Sequence, residues 1–286
     1  MSQAEDQRIA EFVDRVRGKT DRQGKMIALS ELSWIHNRRK PDGEKFSVLT
    51  NRKLIIAYRN AIREAFGEEA AILETLRYSP ARADDYKAHQ IETREARHRD
   101  QRPLDAEEHV ESALLLLGHA VKMRWSTPAA IAGLCALTGR RPYEVTCTGR
   151  FVPDAGNRHE IIFSGQAKTR DDERPAAPFT MPVLGDRELI LEANEILRGK
   201  IDVDMDNKTF SQRYAKEIGL QSKKAFKDAE GNPLKPSDLR DAYSIIAYEE
   251  FAPKKVSSVQ FMNDILGHKS EYLDTTLYYI SFYLVK

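Results

Sequence analysis

The chain has 286 residues, with 45 Lys and Arg against 44 Asp and Glu, and is 41% hydrophobic and 31% charged. That balance belongs to a globular protein and excludes a disordered chain, and no apolar run reaches the roughly 18 residues that suggest a membrane span. The length suits one large or two medium domains. The opening stretch, MSQAEDQRIAEFVDR, is charged from the start and lacks the apolar segment of a secretory signal. Cys135 and Cys147 lie in apolar surroundings and read as small buried residues, not a disulfide framework. The seven histidines are scattered without zinc spacing, and no phosphate-binding glycine pattern occurs, so no metal, cofactor or nucleotide is expected.

The first hundred residues read as helical. Ile9, Phe12, Val13 and Val16 mark one helical face, a second helix covers MIALSELSWIHNRR, and residues 51–79 form two helices broken near Gly67. KPDGEKFS between them reads as a loop. From Arg15 to Arg63 there are thirteen basic residues (15, 17, 19, 22, 25, 38, 39, 40, 45, 52, 53, 59 and 63) and four acids (21, 31, 42 and 44), net 13 − 4 = +9. A local excess of this kind suits a polyanion partner or a solvated face. Residues 81–108 are strongly polar and read as a solvated helix with a linker, the boundary near Pro103.

An apolar helix follows over HVESALLLLGHAVKMRW. Ser126-Thr127-Pro128 starts another, with a hydroxyl cap and an early proline, which ends at Gly139. Strands are expected at EIIFSGQA and APFTMPVL around the polar turn TRDDERPA. Helices return from Arg187 through NKTFSQRYAKEIGL and SKKAFKDAEGNPLKP. Pro236-Ser237-Asp238 then caps LRDAYSIIAYEEF, and VQFMNDILG ends at Gly267. The expected fold is mainly α with a small β-hairpin.

Four pieces carry chemistry when taken together. LTGRRPYEV sets arginines just past a helix end with Glu144 close behind. Lys168 ends a strand at the hairpin turn. Arg240 stands at a helix start, where free N–H groups and a planar fork suit a phosphate. His268 follows Gly267, with Tyr278 and Tyr279 ten and eleven residues later. Each alone fits an ordinary surface or core residue.

In this order and spacing they resemble the catalytic core of the tyrosine recombinase and type IB topoisomerase superfamily. The closing LYYISFYLV and the long intervals from Arg240 to His268 and from His268 to Tyr279 resemble the telomere resolvase (protelomerase) branch. The resemblance implies a helical DNA-clamping domain over residues 1–104 and an α+β catalytic domain over residues 105–286. It implies Arg141 as first catalytic arginine, since the pattern counts two residues from Gly139, then Lys168, Arg240, His268 and the nucleophile Tyr279, with Tyr278 as rival. It also implies no metal, cofactor, nucleotide or membrane. The implied partner is double-stranded DNA with an inverted-repeat site, bound by a homodimer in the cytoplasm of a bacterium, at the nucleoid. One departure is Ser237, three before Arg240, where recombinases often carry His; serine is no strong proton donor, and Lys235 is the nearby substitute. The implied activity is cutting through a 3′-phosphotyrosine and rejoining as hairpin ends. A site-specific recombinase and a catalytically silent DNA-binding relative are the alternatives.

Overall fold

The computed structural model describes residues 3–77, 80–123, 125–167, 177–267 and 280–285. Two compact units divide the chain, Met1–Thr93 and Arg94–Lys286. No described helix is long and apolar enough to cross a membrane.

The first unit packs α1 (Gln3–Val16), α2 (Asp21–Asn37), α3 (Val48–Phe66) and the short α4 (Ile72–Thr75), and α5 (Pro80–Arg99) begins in it. Helix α2 starts five residues before its apolar pattern, because Thr20 and Gln23 form a capping box. Phe12, Ala28, Ile35, Leu54, Tyr58 and Ile62 fill the core. Glu31 is buried in it at 1% exposure. Its carboxylate accepts from Arg8, Arg15 and the Tyr58 hydroxyl, tying α1, α2 and α3. Part of the +9 excess is therefore structural. Arg15 serves Glu31, Arg38 pairs with Glu5, and Arg59 donates to the carbonyls of Leu73 and Leu76. Lys19, Arg22, Lys25, Lys45 and Lys53 remain exposed.

The second unit is built around α7 (Thr127–Thr138), every residue of which from Ala129 onward is buried. Ser126 is its N-cap by position, but its hydroxyl caps no helix N–H. Around α7 lie α6 (Ala106–Lys122), α8 (Arg187–Lys200), α9 (Asn207–Ala225) and α10 (Pro236–Phe251), with α11 (Ser258–Ile265) against α10. Two small sheets complete it. β2 (Arg150–Pro153), β3 (Glu160–Ser164) and β4 (Phe179–Pro182) form an antiparallel sheet, with Phe163 opposite Phe151 and Phe179. β1 (Arg102–Asp105) pairs in parallel with β5 (Phe282–Val285), Arg102 opposite Phe282.

Further sequence expectations need correction. β2, β1 and β5 were not anticipated, being four residues each and too short for a periodic signal. SKKAFKDAEGNPLKP is not a second helix. Helix α9 runs through Gly219 to Ala225, and the chain then folds back with Lys227 bridging Pro233. Asp228 drives that turn, accepting the N–H groups of Glu230 and Asn232 and the Arg102 guanidinium. Helix α10 is capped from Lys235, whose N–H donates to the Asp238 carboxylate at 3.0 Å.

Helix α6 buries His109 at 3% exposure against the Phe226 ring, and neither ring nitrogen has a hydrogen-bond partner. Burial holds this imidazole down at about 4, against an ordinary value near 6.5. The unfolded chain thus binds a proton between these values that the folded one refuses, so stability falls as pH drops from 6.5 to 4. His109→Leu is expected to remove that slope in urea titrations, worth up to about 3 kcal/mol at pH 4, and to leave only the carboxylate-driven loss below it.

Candidate active site

The site begins where α7 stops. Gly139 ends the helix at φ +62°, and a Cβ there would lie 2.1 Å from the Tyr243 ring of α10. Only glycine lets α7 turn this close to α10. The next two residues diverge. Arg140 is 1% exposed. Its guanidinium lies over the rings of Phe163 and Phe179, 4.9 and 5.4 Å from their centroids, and donates to the carbonyls of Ile265 (2.8 Å) and Leu266 (3.4 Å). The Arg141 side chain stays 24% exposed and donates to Glu144 Oε1 at 2.5 Å.

Glu144 opens a π-turn, Glu144–Thr148, in which the Gly149 N–H reaches the Glu144 carbonyl at 2.7 Å. The widened turn leaves carbonyls unpaired. Asn194 and Arg198, one turn apart on α8, take them. Asn194 donates to Val145, and Arg198 to Thr146, Cys147 and Gly149. The Glu144 carboxylate is fully buried. It accepts the Arg141 N–H at 3.0 Å and the Ala167 N–H at 3.3 Å, and lies 3.9 Å from Arg240. Burial alone would raise its pKa; the guanidiniums of Arg140, Arg240 and Arg141 outweigh that and hold it down at about 2. Conversely, burial and then the repulsion of Arg240 bring Arg140 down to about 9.

Arg240, on the first turns of α10, is 5% exposed and donates to the carbonyls of Gly139 and of Leu266, the latter at 3.1 Å. Strand β3 leads to the same place. Gly165 passes the Thr148 carbonyl so closely that a Cβ would sit 2.0 Å from it, which lets Gln166 donate to the Leu266 carbonyl (3.4 Å) and Ala167 to Glu144. A cleft of about 490 Å³ opens on these groups, lined by Arg141, Arg240, Ser237, Tyr143, Phe210 and Asp241 among others. Ser237 donates to Asp238 at 3.2 Å, beside Arg240.

The structure thus brings Arg141 and Arg240 together across one carboxylate. Lys168, His268, Tyr278 and Tyr279 lie outside the described residues; their neighbours Ala167, Gly267 and Ile280 lie within them. Sequence reading missed the organising roles of Arg140, Gln166, Asn194 and Arg198. Their partners lie far off in sequence, so no local pattern pointed to them. Among the described residues no group of three His, Cys, Asp or Glu converges as metal ligands.

Residues 102–282 match the model of the telomere resolvase ResT/TelK catalytic domain. The chain is similar to an alanine variant of protelomerase TelA covalently complexed with substrate DNA, at 28% identity and TM-score 0.85, covering 99% of this chain and 90% of that one. It is equally similar to another TelA variant complexed with DNA hairpin product, at 26% identity and TM-score 0.86, covering 99% and 89%. Protelomerase TelK complexed with substrate DNA shares the fold, at 19% identity and TM-score 0.63, covering 99% of this chain and 59% of that one. No curated protein matches the chain. With more than half its length matched by that model, the chain belongs to the telomere resolvase family.

Proposed function

We propose that this chain cuts an inverted-repeat DNA site through a 3′-phosphotyrosine and rejoins the strands as covalently closed hairpins. The observation that carries the reading is the meeting of Arg141 and Arg240, 99 residues apart in the chain, on one cleft through the same buried Glu144. Two fixed guanidiniums match the non-bridging oxygens of a phosphodiester, and their charge is pre-organised for the extra negative charge of the transition state.

In this mechanism the Tyr279 oxygen passes its proton to solvent water, helped by His268, and attacks phosphorus. The bond to the 5′-oxygen breaks, Lys168 delivers a proton to that oxygen, and a 3′-phosphotyrosine with a free 5′-hydroxyl results. His268 hydrogen-bonds the phosphate. In the second step a 5′-hydroxyl attacks the phosphotyrosine of the opposite strand and releases Tyr279. Each step exchanges one phosphoester for another, so the bond energy is conserved and no nucleotide is consumed. The two-fold symmetry of an inverted repeat calls for two protomers. The exposed Lys19, Arg22 and Lys25 of the first unit grip phosphates, and the protein works where its DNA lies, in the cytoplasm at the nucleoid.

Covalent capture tests this reading. The protein is incubated with DNA of its source replicon, and the joined or released ends are sequenced. Adducts at an inverted repeat are expected, with products that snap back after denaturation. Tyr279→Phe is expected to make none, Tyr278→Phe to retain them, and Arg141→Ala to slow adduct formation by roughly 10²–10³-fold. Exchanged duplexes instead of hairpins would make the enzyme a recombinase, and adducts in Tyr279→Phe would move the nucleophile. In a separate binding titration, replacing Lys19, Arg22 and Lys25 with Gln is expected to flatten the dependence of log K on log salt, by about 0.9 for each phosphate no longer neutralised.

A further inference from the structure

The residues just beyond the proposed nucleophile are fixed at both sides. The Ser281 hydroxyl donates to Asp241 Oδ2 at 2.7 Å, across 40 residues of sequence. The Ser281 carbonyl accepts the Arg102 N–H at 3.0 Å, the first link of the β1–β5 ladder. Phe282 then enters the core at 2% exposure, under the Arg102 guanidinium, 5.2 Å from its centroid. Asp241 is 7% exposed, lines the cleft, and follows Arg240 directly on α10. Its backbone carbonyl is engaged separately by Ser244, so its side chain is directed to Ser281 by a helix already anchored in the core.

Covalent geometry does the rest. Two peptide links separate Ser281 from residue 279, a reach of at most about 7.6 Å between Cα atoms. Holding Ser281 to the residue beside Arg240 therefore limits the backbone freedom left to the chain two links upstream, where the proposed nucleophile stands. Such confinement matters in proportion to how far attack depends on alignment, and for in-line displacement at phosphorus that dependence is steep.

We propose that Asp241 and Ser281 are positioning residues, a latch that holds the nucleophile segment against the arginine-bearing helix of the same chain. The proposal rests on Tyr279 as nucleophile and adds to that assignment the means of its delivery. Ser281 is not among the residues that line the cleft, so its loss should slow attack without weakening DNA binding.

The test is single-turnover adduct formation by the full chain on the inverted-repeat duplex found by covalent capture. Ser281→Ala is expected to lower the rate at saturating DNA about tenfold, with the DNA Kd within twofold of wild type. Ser281→Thr, which keeps the hydroxyl, should recover most of the rate, and Asp241→Asn, which keeps an acceptor oxygen, should lie between them. A second substrate carries sulfur at the 5′-bridging position, a leaving group that needs no protonation. On it the Ser281→Ala deficit should persist, whereas the deficit of Lys168→Ala should largely vanish. A Ser281→Ala rate within twofold of wild type, with Tyr279→Phe inactive, would overturn the latch and leave the nucleophile standing. Rescue of Ser281→Ala by the sulfur substrate would place its effect on leaving-group protonation and also overturn the latch. Adducts formed by Tyr279→Phe would remove the nucleophile assignment and the latch with it.

Discussion

Three guanidiniums crowd one buried carboxylate in the second unit, and its architecture follows from keeping that cluster in place. Arg140, Arg141 and Arg240 face Glu144, a local charge of 3 − 1 = +2. A carboxylate without partners in such a site would be protonated, and guanidiniums without a carboxylate would repel one another. Each therefore has geometry imposed by backbone. Glu144 is aimed inward by a π-turn that α8 side chains stabilise, Arg141 by the glycine end of α7, and Arg240 by the start of α10.

The carbonyl of Leu266 plays the complementary part for hydrogen bonding. It accepts from Arg140, Gln166 and Arg240, which come from three separate segments. Those segments lead to Arg141, Lys168 and Arg240, and Leu266 itself stands two residues before His268. One peptide oxygen thus ties the end of α7, the segment after β3 and the start of α10 to a single point. A small displacement of Leu266 would be felt at all three donors together, and substitutions among them should not act additively.

Local signals were legible and distant pairings were not. The ends of α7 could be read from Pro128 and Gly139 because caps and breakers act over three or four residues, and the hairpin over β3 and β4 from its alternation. LTGRRPYEV marks two adjacent arginines, but nothing in it shows that Arg140 turns into the protein while Arg141 stays partly exposed; that depends on Phe163, Phe179 and Leu266, far away in sequence. The +9 count overstated the free charge for the same reason, since the partners of Arg15 and Arg38 lie 16 and 33 residues away. Strand β5 was invisible because the strand it pairs with, β1, lies at the opposite end of the unit.

That last pairing orders events in time. Closing a parallel ladder between Arg102 and Phe282 joins segments 282 − 102 = 180 residues apart, whereas α6 and α7 are neighbours in sequence. Loop-closure entropy makes such distant contacts form after local ones. During folding, α6 and α7 can consolidate while the β1–β5 ladder is still open. The unit is therefore sealed last where its first and last strands meet, so that the segment entering β5 is the late-arriving part of an otherwise helical core.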